Sequence, residues 1–289
     1  MLDFISIINK YKSENKDLIC VEIIESAGST PRTKGAFMLV DAEGNVNGTI
    51  GGGTLEFYAI KDAREYLTQK KTVEKEYNLN SEDGMICGGY NKLRFNYLSS
   101  KEDNKDFITR ISDIMADNTV CYVFGAGHVG SNVSKILNYI GLKVVCYDDR
   151  KEYANKDNLG KDIEPICASY DDISKYVNIK KDDFVLIMTN THITDYIVEK
   201  QVLKTDAYYI GCMGSFHRSK ILKDMLAKDG FTKEQIDRIH TPIGIQVAAE
   251  TPEEIAISCA CEVILYKSKK ENRKKYKDKH TIMELLNAN

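Results

Sequence analysis

The chain has 289 residues, which is enough for two domains of ordinary size. Hydrophobic residues make up 43% and charged residues 29% of the sequence, an ordinary composition for a globular protein. The formal net charge of -3 excludes a strong field that would recruit nucleic acid or an anionic membrane, and no run is apolar enough to span a bilayer.

The sequence also indicates the cellular compartment. None of the 8 cysteines forms a Cys-x-x-Cys pair, and the N-terminal segment lacks the apolar run and cleavage site of a secretory signal. Both features are typical of a cytoplasmic protein whose thiols stay reduced. We therefore expect a cytoplasmic protein with neither nucleic acid nor membrane as a partner.

The first half predicts an α+β domain over residues 1–98. Its helices are identified by helical spacing of apolar residues, and its last strand by alternation of apolar and polar side chains. The predicted elements are a helix over 2–13, strands over 18–24, 36–40 and 45–50, a helix over 54–66, and a half-exposed strand around 93–97.

The second half predicts a doubly wound parallel sheet, because short apolar strands alternate with helices. Its clearest strands cover residues 119–124, 142–147, 183–188 and 207–210, and a last helix begins at Thr251. A polar run over 99–106 reads as a linker, so the second domain is predicted over 107–266. The basic segment 267–289 follows as a solvated tail or a handle for a partner.

A dinucleotide-type fingerprint follows the first strand of the second half. Gly125, Gly127 and Gly130 have the spacing that allows a tight turn, close approach of a pyrophosphate and close helix packing. Asp148 ends the next strand, where an acid binds a ribose hydroxyl, and Arg150 could instead bind a phosphate. The pattern predicts a Rossmann-type fold, with NAD(P) as a candidate cofactor.

Further candidate binding residues lie at the starts of helices in the second half. His128 opens the helix within the fingerprint, and His192 follows the strand over 183–188. Gly214 and Ser215 open another helix, where backbone amides could hold an anionic group. The alternative is that these residues only turn the chain and cap its helices.

Three consecutive glycines distinguish the first half. Gly51, Gly52 and Gly53 end a strand and begin a helix, a place where backbone amides can approach a phosphate. Glu56 lies in the first helical turn, where it suits the helix dipole or could contact a ligand. Arg32, in the preceding loop, has a planar guanidinium suited to phosphate or a heterocycle edge. The alternatives are a simple tight turn and a solvated arginine.

Cys87 is the one cysteine flanked by glycines in a polar neighbourhood. Glycines leave the sulfur approachable and expose amides that stabilise a thiolate, the form that ligates soft metals or accepts sulfur. Cys87 is therefore the candidate catalytic and metal-ligating residue. The alternative is a small cysteine buried beside a turn.

Taken together, these motifs resemble the XdhC/CoxI accessory factors of xanthine dehydrogenase over nearly the whole chain. The resemblance rests on residues 28–32, 35, 38–40, 48–56, 87–89, 125–130, 148–150, 191–192, 209–211, 214–215, 242–244 and 251–256. The chain departs from the family pattern at Phe216 and His217, where basic residues are expected, and at Gln246, where an acid is usual.

The resemblance implies an N-terminal XdhC/CoxI domain followed by a Rossmann domain. It implies that the chain binds the molybdenum cofactor (molybdopterin), assists its sulfuration and delivers it to a xanthine dehydrogenase-type molybdenum hydroxylase. The implied sulfur donor is a cysteine desulfurase, and a homodimer is expected. Such a protein would be a maturation factor rather than an enzyme.

Two other functions compete with this interpretation. The first is an NAD(P)-dependent oxidoreductase that uses the Rossmann crevice, although no proton-transfer group beyond His192 stands out there. The second is a nucleotide-sensing regulator that uses the basic tail to bind a partner. Turnover with a nicotinamide cofactor would favour the first, and ligand-dependent partner binding without pterin would favour the second.

Overall fold

The computed structural model describes residues 4–28, 30, 32, 34–78, 89–115 and 119–271 of the chain. Two compact units divide between Asp117 and Asn118. Within the described residues, no helix is long and apolar enough to cross a membrane.

The first unit is an antiparallel sheet with helices on both faces. The five strands are ordered β3-β2-β1-β5-β4. The elements are α1 (Phe4–Ser13), β1 (Leu18–Ala27), β2 (Phe37–Val40), β3 (Val46–Gly48), α2 (Gly53–Gln69), β4 (Val73–Asn78), β5 (Tyr90–Leu98) and α3 (Lys105–Met115).

The core of this unit has two layers, one on each face of the sheet, because buried side chains of the central strand β1 alternate between the two faces. Ile19, Val21 and Ile23 are buried on the face that α2 covers, and Leu18 and Cys20 face the opposite layer with α1. Successive side chains of a strand point to opposite faces, so one apolar strand supplies both layers.

Helix α3 belongs to the first unit. Phe107 and Ile108 of α3 pack against the layer that contains Leu18 and Leu98. Arg110 of α3 also pairs with the buried carboxylate of Glu22 on β1, with an Nη1–Oε2 distance of 2.8 Å. The sequence prediction began the second domain at residue 107, whereas these contacts attach α3 to the first sheet.

The second unit is a six-stranded parallel sheet. From β6 the chain adds β7 and β8 on one side and then β9, β10 and β11 on the other, in the order β11-β10-β9-β6-β7-β8. The elements are β6 (Val120–Phe124), α4 (His128–Tyr139), β7 (Lys143–Asp148), α5 (Lys156–Leu159), β8 (Glu164–Cys167), a 3-10 helix (Tyr170–Lys175), β9 (Phe184–Ile187), α6 (His192–Val202), β10 (Tyr209–Cys212), α7 (Phe216–Lys228), α8 (Lys233–Ile236), β11 (Ile239–His240) and α9 (Pro252–Lys270).

Both faces of the parallel sheet are covered, so its central strands are apolar on both sides. Val123 of β6 packs into the layer with α4 and α9, and its neighbour Phe124 packs into the layer with α6 and α7. This arrangement is a doubly wound sheet, and strand order reverses between β6 and β9. The predicted fold class, an α+β domain followed by a Rossmann domain, is confirmed.

Candidate functional site

Three chain segments meet at one end of the first unit. Strands β1 and β3 run towards this end, since β2 is antiparallel to both. Helix α2 starts at this end and runs away from it. Its last residues border a groove that Asp17 also lines, and Asp17 lies just before β1, at the opposite end of that strand. Strand β5 begins there, with Tyr90 opposite Ala27. We call this region the glycine-rich end and define it by residues 27–28, 49–56 and 89–91.

Glu56 holds the glycine loop in place. Its Oε2 atom accepts hydrogen bonds from the Thr49 hydroxyl at 2.6 Å, the Ile50 amide at 3.1 Å and the Gly52 amide at 3.0 Å. The Gly51 amide in turn donates to the Thr49 hydroxyl oxygen at 2.9 Å. A carboxylate of the protein therefore occupies two amides of the anion-binding loop, which gives Glu56 a clear structural role.

The glycines are required by backbone conformation. Gly51, Gly52 and Gly53 have φ angles of 126°, 74° and 66°, which L side chains rarely adopt. Apart from its chain neighbours, a Cβ atom added to Gly52 or Gly53 would have no heavy atom of the described residues within 4 Å. The loop thus presents open space beside its backbone, and the amide of Gly53 makes no hydrogen bond outside α2 in the described part of the chain.

The other predicted residues of the first half have fewer contacts. Arg32 is exposed, and its guanidinium makes no hydrogen bond or ion pair with the described residues. Cys87 lies outside the described residues, two positions before Gly89. The binding roles of Arg32 and the glycines and the catalytic role of Cys87 remain predictions.

Sequence reasoning missed Asn91 at the same end. It is fully buried, and within the described structure neither its Nδ2 nor its Oδ1 atom has a hydrogen-bond partner. The signal was present, because Asn91 continues the inward alternation of Leu93 and Phe95, where an apolar residue is expected.

In the second unit, the fingerprint glycines have different structural reasons. A Cβ atom on Gly125 would lie 2.1 Å from the Met188 carbonyl oxygen, and one on Gly130 would lie 1.8 Å from the Gly125 carbonyl oxygen. Both are therefore required for packing. At Gly127 the nearest atom would be Nη2 of Arg150 at 3.9 Å, so only this glycine of the three faces open space. His128, the first residue of α4, is exposed.

Asp148 and Arg150 bind each other. The Arg150 guanidinium donates to both carboxylate oxygens of Asp148 at 2.8 Å, and it stacks on the Tyr153 ring at 4.1 Å. The buried Asp148 also accepts from the Ala126 amide at 2.7 Å. Burial acts to raise the pKa of Asp148, but these hydrogen bonds hold it below its ordinary value. The acid predicted to bind ribose is thus already fully hydrogen-bonded.

His192 and Ser215 line a common cavity of about 500 Å³ at the N-terminal ends of α6 and α7. Ser215 caps α7 by accepting a hydrogen bond from the Arg218 amide, and the exposed His192 follows the capping residue of α6. Gly214 precedes this cap. The remaining lining residues are His217, Arg218 and four apolar residues, Ile193, Ile221, Leu222 and Met225.

A buried acidic pair lies behind this cavity. Asp195 accepts from the Thr189 hydroxyl at 2.6 Å and from the Arg218 guanidinium at 3.0 Å. One turn later, Glu199 is buried with its Oε2 atom unpartnered in the described structure. Burial raises the pKa of Glu199 to about 7, against a smaller opposing effect of a hydrogen bond with Cys212.

Metal-binding clusters and disulfides are absent among the residues that the structure describes. No group of three or more His, Cys, Asp or Glu side chains there is arranged to hold a metal ion. The described cysteines are all free thiols. The predicted metal ligand Cys87 lies outside that part of the chain.

Comparison with known proteins identifies the family. The model of the XdhC Rossmann domain matches residues 121–263, and that of the XdhC and CoxI family matches residues 12–78. YqeB, an uncharacterized Escherichia coli K12 protein, is 28% identical over 90% of this chain, which spans only 45% of YqeB. The molybdenum cofactor insertion chaperone PaoD of Escherichia coli K12 is 23% identical over 86% of this chain and 83% of PaoD.

A solved structure supports the fold. The crystal structure of a xanthine dehydrogenase from Bacillus halodurans matches with a TM-score of 0.77 and 21% identity, over 95% of this chain and 97% of that one. Together the two family matches account for well over half of the sequence, one in each unit. The chain therefore belongs to the XdhC/CoxI family.

Proposed function

We propose that this protein is a maturation factor that binds the molybdenum cofactor, assists its sulfuration and inserts it into a xanthine dehydrogenase-type hydroxylase. Family membership and the similarity to a molybdenum cofactor insertion chaperone support a role in maturation. The observation that carries the proposal is the glycine-rich end, where an open backbone loop adjoins a buried carboxamide that has no hydrogen-bond partner among the described residues.

The contacts at the glycine-rich end suggest how a phosphorylated cargo would be held. The Gly51 and Gly52 amides are already bonded within the protein, whereas the Gly53 amide at the start of α2 has no hydrogen-bond acceptor among the described residues. A phosphate would bind there, or would displace the Glu56 carboxylate from its amides. The exposed guanidinium of Arg32 is chemically suited to pair with the same phosphate.

Cys87 is the proposed sulfur-handling residue. As a thiolate it would act as a ligand of the molybdenum centre or as a relay for sulfur from a cysteine desulfurase. Cysteine thiolates are the protein groups that combine both properties, and the flanking glycines leave the sulfur accessible.

Purification without oxygen beside a source of the cofactor tests the proposal. The wild-type protein is expected to carry both pterin and molybdenum, and their joint absence would contradict the central claim. Cys87→Ala is expected to lower molybdenum retention and activation of an apo-hydroxylase without loss of the fold. Cys167→Ala, at an exposed free thiol of the second unit, serves as the matched control and should have no effect.

A second candidate is an NAD(P)-dependent oxidoreductase, favoured by the open flank of Gly127. Asp148 is already hydrogen-bonded to Arg150 and to the Ala126 amide, which argues against its binding a ribose hydroxyl. Titration with NAD+ and NADP+ separates the candidates, because tight binding with turnover of a small substrate would support the oxidoreductase.

A further inference from the structure

Asn91 is a buried polar residue whose side chain is not hydrogen-bonded by any described part of the protein. Its side chain is fully buried on β5, between Ser26 of β1 and Tyr77 of β4. Neither the amide nitrogen nor the oxygen has a hydrogen-bond partner in the described structure. Asn96 on the same strand shows the usual situation, since its Nδ2 atom donates to the Cys20 carbonyl oxygen at 3.2 Å.

An unpaired buried carboxamide is unfavourable for folding. Removing donor and acceptor from water without replacement destabilises a protein, and buried side-chain polar atoms are therefore nearly always paired. Leucine has the same branched arrangement of side-chain heavy atoms and would carry no such penalty at an inward position of β5. The presence of asparagine at this position thus favours a partner from beyond the described residues.

The side chain points towards the helix that begins at the glycine run. Asn91 shares the α2 face of β5 with Leu93 and Phe95, because alternate residues of a strand face the same side. Tyr66 of α2 contacts the Phe95 ring at 5.1 Å. Tyr58 lies about two helical turns nearer the glycines than Tyr66, and about four residues of a strand span the same distance. Four residues before Phe95 on β5 is Asn91. Asn91 is therefore level with the first turns of α2.

We propose that the Asn91 carboxamide recognises the pyrimidine edge of a pterin bound at the glycine-rich end. A carboxamide offers one acceptor and two donors side by side, and the amino-oxo edge of a pterin offers the complementary set. The Gly53 amide would then bind the phosphate at one end of the ligand, and Asn91 would bind the pyrimidine edge at the other end. This inference rests on the proposed function and assigns a specificity-determining residue to it.

Access to Asn91 requires a side chain to move. Its carboxamide is closed from water, and by the spacing given above Tyr58 of α2 is at the same level as Asn91. Tyr58 is 36% exposed, and its ring packs edge-on against the ring of Phe57, which is itself 66% exposed. A partly exposed tyrosine in the first turns of a helix can rotate outwards, so a ligand could replace its ring.

Asn91→Leu tests the inference, with Asn96→Leu as the matched control on the same strand. The full chain is purified without oxygen beside a cofactor source, and bound pterin is oxidised to its fluorescent form and counted per chain. We expect Asn91→Leu to retain on the order of ten-fold less pterin, from the loss of two hydrogen bonds. Its melting temperature should equal or exceed that of the wild type, because no hydrogen bond to a described residue is lost.

Asn96→Leu should give the reverse result, with a lower melting temperature and unchanged pterin. Asn91→Val repeats the test with a β-branched residue if the leucine variant does not accumulate as folded protein. Wild-type pterin content in a folded Asn91 variant would overturn the role of Asn91 and leave the proposed function standing. Wild-type protein without pterin would overturn both, and a lower melting temperature of Asn91→Leu would show that Asn91 has an internal structural role instead.

Discussion

Replacing Glu56 with alanine or with glutamine separates the structural role of this residue from its charge. The three hydrogen bonds that Glu56 accepts from described residues, Thr49, Ile50 and Gly52, all reach the same oxygen, Oε2. Alanine removes that oxygen and leaves three donors without this acceptor. Glutamine keeps one oxygen in the same position and removes only the negative charge.

The geometry gives the size of the effect. Each hydrogen bond contributes about 1 kcal/mol net, so Glu56→Ala should lower the free energy of unfolding by about 3 kcal/mol. For a unit of this size that corresponds to a fall in melting temperature of roughly 12 °C or more. Glu56→Gln should lose about 1 kcal/mol, the part that depends on charge.

Urea unfolding of the full chain, followed by a probe of the first unit, measures both variants. Equal losses of unfolding free energy for alanine and glutamine would refute the reasoning, because the retained oxygen of glutamine would then have no effect.

The glutamine variant also tests anion binding. With the carboxylate gone from beside the open Gly53 amide, inorganic phosphate should bind more tightly than to the wild type, and unchanged phosphate affinity would place the anion elsewhere.

Two further predictions concern the second unit. Gly130→Ala should destabilise the second unit by about 2 kcal/mol or more, because the new Cβ atom would lie 1.8 Å from the Gly125 carbonyl oxygen. Gly127→Ala should leave its stability unchanged, because Gly127 has open space beside it and a φ of -65°. Equal urea midpoints for the two variants would contradict the packing argument. Burial raises the pKa of Glu199 from 4.5 to about 7, so the unfolded state loses this proton first and stability falls as pH rises between these values. Glu199→Gln should therefore raise the melting temperature at pH 8. The melting temperature should also fall less between pH 5 and pH 8 in this variant than in the wild type, and an equal fall in both proteins would contradict the prediction.

The fold of the second unit could be predicted because its signals are local and strong. Strands β6 and β9 are apolar on both faces, a pattern that parallel sheets require. In contrast, β4 was not predicted, since Glu74, Lys75 and Glu76 make it look like a polar loop. Charged residues are common on edge strands, where they discourage pairing with other chains. A sequence pattern alone does not distinguish such a strand from a connection.

The candidate site of the first unit was predicted only in part, for a different physical reason. The glycine run is visible in the sequence because glycine is costly unless the backbone needs it. Which acceptor bonds to the loop amides depends on tertiary geometry, and so does the isolation of Asn91. Spacing can therefore identify a loop suited to anions, but not that Glu56 already occupies two of its amides.

The second unit shows why a binding motif and a bound ligand are separate questions. Two of the three fingerprint glycines, Gly125 and Gly130, are explained by contacts within the protein, and so is Asp148 through its bonds with Arg150 and the Ala126 amide. These residues would be needed to build the turn even if no nucleotide ever bound. Gly127 alone lacks an internal reason, so binding studies on this unit should target Gly127, where a Cβ atom would obstruct a ligand without disturbing the fold.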